Sequence, residues 1–501
     1  MQLKKLSRIK ATSKVAQKFS AAVNAPARSS FYFTAAIILS KGASFLLTPI
    51  FTRLLTAEEY GEYSLFSSYL SVLVVIVTLE IPGSVIIRAF QKNRGLENLT
   101  TVTAAAIPLA LTPPAVLILK LIGGGPGFSS AHVFLALSLA SVSFINLYTS
   151  SKKFLYKPLA PTLTAIIQSV VTPIISILLI NLNTTNKYGD VTVKVGTCSV
   201  ISALTALTLL GISASRAVKE AKSAGISFSS YISFAKTLYR TLLSLCLPLL
   251  PYYFSVMMIS QADKLIISSY LGREALGRYS LAYTAGIAPS AMTGGIMGAL
   301  CPWIMRKIRA ENTLVVRRAL SAITSSALPA IVIFLCAAPE IFAILAPESY
   351  QSALPVLFIS AMIPIPLSLC TCLCSICVAK EKTAGPLIAG ILSAAAAAAL
   401  DFFLIRKASL SAPALITAGG YITLMLLEAL SVRKILGKSA VNANKTFQSL
   451  AFLAFFSALI FTLRQTLLPR IIIALAATLY LLYMLYRSKW LLAEKNADEK
   501  S

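Results

Sequence analysis

The chain of 501 residues is 57% hydrophobic and only 13% charged, with a formal charge of +27 and a mean hydropathy of +0.79. A soluble domain is roughly half apolar and about a quarter charged, so this balance excludes an ordinary soluble fold and describes a chain dissolved in lipid. The charge alone would admit a nucleic-acid partner, but the basic residues are scattered over many connections rather than gathered in a patch, which argues against one.

A span needs about 20 mostly apolar residues to cross a hydrocarbon core of about 30 Å. In chain order, fourteen stretches meet that requirement, near 31–54, 62–88, 98–122, 129–150, 159–181, 191–213, 241–270, 276–303, 318–338, 352–378, 384–405, 410–432, 447–466 and 470–487. The runs are continuously apolar, whereas barrel strands would alternate and be about half as long. The predicted fold is therefore an all-α integral membrane protein with about 14 transmembrane helices. Thirty polar, basic residues precede the first span, which is too long and too apolar for the core of a signal peptide, so no cleavage is expected.

Most of the 45 lysines and arginines fall on alternate connections and on both termini, with Arg406 and Lys407 the main exceptions. Positive charge stays on the cytoplasmic side during insertion. Both termini are expected there, in a multi-pass protein of the cell (inner) membrane, and the excess charge also attracts anionic membrane lipid. The eight cysteines lie in predicted spans or at their ends, so a disulfide framework is not expected. Cys370, Cys374 and Cys377 share a helix face. No histidine lies near them, the only one being His132, and small buried thiols pack well, so neither a metal site nor any other cofactor is expected.

One motif occurs twice. LTAEEYGEYSLF at 55–66 and LGREALGRYSLA at 271–282 share Leu, Glu, Gly, Tyr, Ser and Leu in register. Each copy follows one span and opens the next, on an outward-facing turn. Gly61 and Gly277 are expected at the bend, Tyr63 and Tyr279 at the membrane interface, and Glu58 and Glu274 in the first helical turn, where negative charge is favoured. Six spans separate the copies, so the halves share one orientation, a parallel repeat about the membrane normal. The expected domains are a cytoplasmic segment (1–30), an N-lobe (31–213), a cytoplasmic linker (214–240), a C-lobe (241–432), and two further helices with a cytoplasmic tail (433–501).

Two like-oriented lobes suit a transporter whose central site faces each side in turn. A charge at mid-span costs about 2.5–3.5 kcal/mol on an insertion scale, so the charges retained there mark candidate sites. Lys41 in span one and Lys264 in span seven lie in equivalent helices, and two facing cations suit an anionic cargo. Asp263 adjoins Lys264 and is expected to pair with it or a neighbour. Glu80 lies in span two beside Pro82, Asp401 ends span eleven near Arg406, and Glu428 is expected to reach the inner interface near Arg433.

The stretches SFLLTPIFTRLLTAEEYGEYSLF, LPLLPYYFSVMMISQADKLIISSYLGREALGRYSLAY and LAPESYQSALPVLFIS resemble the polysaccharide, or oligosaccharide-lipid, flippases of the multidrug/oligosaccharidyl-lipid/polysaccharide exporter superfamily. The likeness covers most of residues 31–432 and includes that family's Asp-Lys/Arg pair at Asp263 and Lys264. Asp401 departs from it, since the family more usually has Asn there. The resemblance implies transfer of an undecaprenyl-diphosphate-linked oligosaccharide to the outer leaflet by alternating access. Lys41 and Lys264 would then line a cationic cavity, and Arg53 and Arg88 would assist at its two ends, lysine serving as a point-charge phosphate binder. Ion exchange at Glu80 or Asp263, or the membrane potential, worth about 2.3 kcal/mol per charge per 100 mV, would supply energy. The expected partners are the lipid-linked anionic oligosaccharide and enzymes of the polymerase or glycosyltransferase kind, with the chain itself a monomer. Two alternatives compete. An ion-coupled drug/cation antiporter of the same superfamily would favour a carboxylate-lined cavity. A membrane glycosyltransferase or polymer ligase would need a large external loop to build a catalytic site, and every odd connection is short.

Overall fold

Among the described residues, ten helices are long and apolar enough to cross a membrane, or twelve if each of two bent pairs counts as one span. This multi-pass, all-α architecture is the predicted class. The computed structural model describes residues 40–498 apart from 41, 83–88, 91–92, 94, 129, 156, 158, 184–188, 310, 381, 406–408 and 438–440. Among the described residues the elements run α1 (42–54), α2 (Ala57–Thr78), α3 (Glu97–Leu121), α4 (Ala131–Phe154), α5 (Leu159–Leu182), α6 (Asp190–Ser223), α7 (Phe228–Cys246), α8 (Leu250–Tyr270) and α9 (Gly272–Gly286). They continue with α10 (Ser290–Arg309), α11 (Thr313–Leu345), a 3-10 turn at Glu348–Ala353, α12 (Leu354–Ser360), α13 (Pro364–Ala379), α14 (Ala384–Leu404), α15 (Ser411–Leu436), α16 (Ala443–Thr462) and α17 (Leu467–Asp498).

Proline accounts for most departures from the predicted spans, because it removes a backbone N–H and clashes with the preceding turn. The span expected at 241–270 bends by 55° between α7 and α8, at the 247–249 turn that contains Pro248. The one expected at 276–303 divides into α9 and α10 at the turn ending in Pro289. That expected at 352–378 bends by 42° before Pro364. In α5 a π-helical turn at Ile167–Val171 precedes Pro173, and the Thr172 hydroxyl donates to the Ile167 carbonyl at 2.9 Å. Such a bulge absorbs a missing hydrogen bond without ending the span.

Helix starts follow local chemistry. Thr56 and Glu59 form a capping box at the head of α2, satisfying two orphan donors reciprocally. No side chain caps α3 locally. Instead Glu220, from the end of α6, accepts the backbone N–H of Leu99 at 2.9 Å, while Lys152 of α4 donates to Asn98 at 2.8 Å. This polar cluster ties together one set of ends of α3, α4 and α6.

Three hydrophobic clusters form the interior. Two are drawn from residues 66–246. The largest gathers α8 to α16 with Phe51, Leu55, Tyr60, Leu65 and Ile180 from the first half. Only 6% of the apolar stretch Leu467–Met484 is buried, so α17 is peripheral. It is attached by Arg470, which binds Glu340 of α11 through both carboxylate oxygens, at 2.5 and 2.7 Å, and the Cys336 carbonyl at 2.9 Å.

Candidate functional site

The two copies of the repeated motif lie against each other. A Cβ built at Gly61 would overlap the Arg273 carbonyl, and one at Gly277 would overlap the Ala57 carbonyl. Arg273 follows Ala57 by the same 216 residues that separate the glycines, so the contact is reciprocal. Both glycines lie inside their helices and not at a bend. They are required for close backbone approach, as small residues allow between helices in lipid. The copies do carry Glu58 and Glu274 in their first turns.

More contacts hold this seam. Thr52 donates to the Leu345 carbonyl at 2.6 Å, Arg53 donates to the Ile344 carbonyl at 3.2 Å, and the Tyr60 ring stands edge-on to Tyr350 at 6.4 Å. Arg273 forms an ion pair with Glu62. Arg53, expected at an end of the cleft, is thus a seam residue bound to carbonyls.

The second motif copy also builds a buried polar site. Asp263, on α8, is fully buried. Its Oδ1 accepts the Lys264 backbone N–H at 2.7 Å, and its Oδ2 accepts the hydroxyl of Tyr279, on α9, and that of Thr417, on α15, the latter at 3.1 Å. Asp401, inside α14, is 2% exposed and lies near Asp263, and its Oδ1 has no hydrogen-bond partner among the described residues. Tyr279 is therefore a buried donor and not an interfacial residue, since α9 begins four residues earlier than predicted. Of the two expected pairings, with Lys264 or with a neighbour, Asp263 makes the second, bonded by Tyr279 and Thr417, and it meets Lys264 through the backbone N–H and not through the ammonium. Lys264 Nζ donates to Gln261 Oε1 at 3.1 Å and lies 4.9 Å from the centre of the Tyr283 ring. Asp263 and Asp401 thus place two buried carboxylates in one low-dielectric region, where each ionised group repels the other.

The remaining predicted residues lie apart. Glu80 does not sit within a continuous span, because α2 stops at Thr78 and both Leu79 and Glu80 adopt positive φ, 50° and 55°. Such backbone costs on the order of 1–3 kcal/mol per residue and clusters at functional positions. Glu80 faces Tyr253 and Cys246, about 15 Å along α8 from Asp263 at 1.5 Å per residue. Glu428 does not reach an interface. It is fully buried near Tyr252, Cys370 and Cys374. Cys370, Cys374 and Cys377 are buried free thiols. Lys41, Arg88, Arg406 and Lys407 lie outside the described residues.

Sequence reasoning passed over Lys194. It lies one turn inside α6 and is 4% exposed. Its Nζ is 3.6 Å from the centre of the Tyr63 ring, 3.9 Å from Phe51 and 5.3 Å from Tyr60. Among the described residues no carboxylate is within ion-pairing distance of it. Burying an unpaired ammonium costs several kcal/mol, and each desolvated ring face returns up to about 2 kcal/mol. The signal was present as a lysine in the apolar run VTVKVGTCSV. What the sequence could not show was the aromatic cage, assembled from α1 and α2 around a lysine of α6.

Residues 27–308, more than half of the chain, match the family described as polysaccharide biosynthesis protein. The chain belongs to that family. Its fold is similar to that of the lipid II flippase MurJ in an inward closed conformation (TM-score 0.63, 15% identity, covering 91% of this chain and 99% of that one). It is also similar to an inward-facing multidrug resistance MATE family transporter of the MOP superfamily (TM-score 0.56, 12% identity, 81% and 98%) and to a MOP superfamily transporter from Pyrococcus furiosus (TM-score 0.53, 12% identity, 86% and 96%). No curated protein sequence matches it. This polysaccharide biosynthesis family member thus has a MOP-superfamily transporter fold.

Proposed function

We propose that this protein is a flippase that carries an undecaprenyl-diphosphate-linked oligosaccharide from the inner to the outer leaflet of the cytoplasmic membrane, with both termini inside. Residues 31–213 and 241–432 act as two lobes that rock about a central site, and the cargo passes to glycan-assembling enzymes outside. The observation that carries this reading is the reciprocal packing of the two motif copies. A seam closed by two equivalent glycines on like-oriented helices can open as a unit and leave each lobe intact. By the charge pattern of the connections this seam faces outward.

Lys264 supports an anionic cargo, because its ammonium makes no direct ion pair with Asp263 and donates to the neutral Gln261 instead. Lys41, on the equivalent span of the first half, with Arg53 and Arg88, adds cationic charge along the path. A cation exchanging at Asp263, Asp401 and Thr417 supplies the energy, and the half-buried Glu80 is a second candidate for coupling. Those same carboxylates favour one other reading, an ion-coupled antiporter of cationic drugs. Deleting the gene and analysing the membrane separates the two. A flippase leaves one lipid-linked glycan accumulated on the cytoplasmic face, whereas an antiporter leaves no such glycan and raises sensitivity to cationic compounds. In the deletion background, Lys264→Ala should insert normally and fail to clear the glycan. Wild-type clearance by that variant would remove Lys264 from the path.

A further inference from the structure

We infer that Lys194 is an outer subsite for the diphosphate of the cargo, covered while the seam is shut and uncovered when it opens. The inference rests on the flippase reading above and adds a residue to it. Three observations carry it. The Lys194 ammonium is caged by Phe51, Tyr60 and Tyr63 and has no ion-paired carboxylate among the described residues. It also stands in the first turns of α6, where the helix dipole disfavours a cation. An apolar side chain would pack there without either penalty, so a charge kept in this place serves something other than packing.

The cage is also built into the seam. Phe51 adjoins Thr52 and Arg53, which bind the Leu345 and Ile344 carbonyls. Tyr60 adjoins Gly61 and is covered on its edge by Tyr350. Parting the halves withdraws Tyr350 and the Ile344–Leu345 backbone and leaves the three rings and Lys194 together on one wall of the opened cleft. The counter-charge that the cage lacks is then supplied by an anion arriving from the membrane. Diphosphate matches a compact, strongly charged ammonium, and the ring faces flank it without competing for its hydrogen bonds.

The test uses the full-length protein in lipid nanodiscs with farnesyl diphosphate as probe, measuring affinity and melting temperature together. Lys194→Met should lower affinity at least fivefold while the melting temperature stays level or rises. Lys194→Arg should stay within twofold of wild type. Tyr350→Ala, which uncovers the cage, should raise affinity, and Lys194→Met should abolish that gain. If Lys194→Met binds as wild type does, or loses affinity only in step with its melting temperature, the subsite is overturned and the flippase reading stands. If the wild-type protein does not bind farnesyl diphosphate at all, both fall.

Discussion

Tyr63 and Tyr279 hold the same place in the two copies of one motif, yet they meet opposite charges. In α2 the Tyr63 ring presents its face to the Lys194 ammonium at 3.6 Å. In α9 the Tyr279 hydroxyl donates to the Asp263 carboxylate. Tyrosine serves in both places because it carries an electron-rich face and an O–H at its tip. The repeated sequence fixes the helix and the face on which the ring emerges. The helix packed alongside decides which part of the ring is used, since α6 brings a lysine to the first copy and α8 an aspartate to the second. One duplicated scaffold thus carries a cationic pocket in its first half and an anionic one in its second.

The largest expected effect breaks the anionic side. Asp263→Asn should remove cation coupling and lower glycan export on the order of a hundredfold, a coupling free energy of up to about 3 kcal/mol. Sodium- or proton-driven clearance of the accumulated glycan measures it, and undiminished clearance at equal protein level would place coupling elsewhere. Next come the glycines that the two halves share. Gly61→Val and Gly277→Val should each destabilise the shut seam by about 1–3 kcal/mol, because the added side chain must displace a carbonyl. Cysteines placed at Tyr60 and Tyr350 should then cross-link less readily than in the parent. A markedly unequal pair of effects would count against a reciprocal contact.

Smaller effects separate the two tyrosines. Tyr279→Phe leaves a buried carboxylate short of a donor and should cost about 1–3 kcal/mol of stability. Tyr63→Phe keeps the ring face under Lys194 and should change stability by less than about 0.5 kcal/mol. Thermal unfolding of the two variants in detergent decides between a hydroxyl role and a face role. Equal losses would show that the shared position, and not the charge beside it, sets the energetics.

Much of the fold was legible in the sequence, and the candidate site only in part. Continuous apolar runs gave the helices because the bilayer demands internally bonded backbone over a set length. The proline bends blurred the ends, as at 247–249 and 287–289, since hydropathy does not register a missing N–H. Asp263, Asp401 and Lys264 stood out as charges in apolar surroundings. Their partners did not, because Tyr279 and Thr417 reach Asp263 from positions 16 and 154 residues away in the chain. Glu428 was misplaced for the same reason. Its position near the end of a span suggested an interface, whereas Tyr252 and the cysteines of α13 enclose it.

The sequence by itself determined that this chain is a helical membrane protein with a duplicated motif, because apolar length and repetition are properties of a line. Only the tertiary structure decided that the duplicated glycines touch, that the Asp263 carboxylate is bonded by Tyr279 and Thr417, and that Lys194 sits in a cage of rings. Those outcomes depend on which helices become neighbours, and the free energy of a buried charge is set by the groups facing it across a few ångströms rather than by its neighbours in the chain.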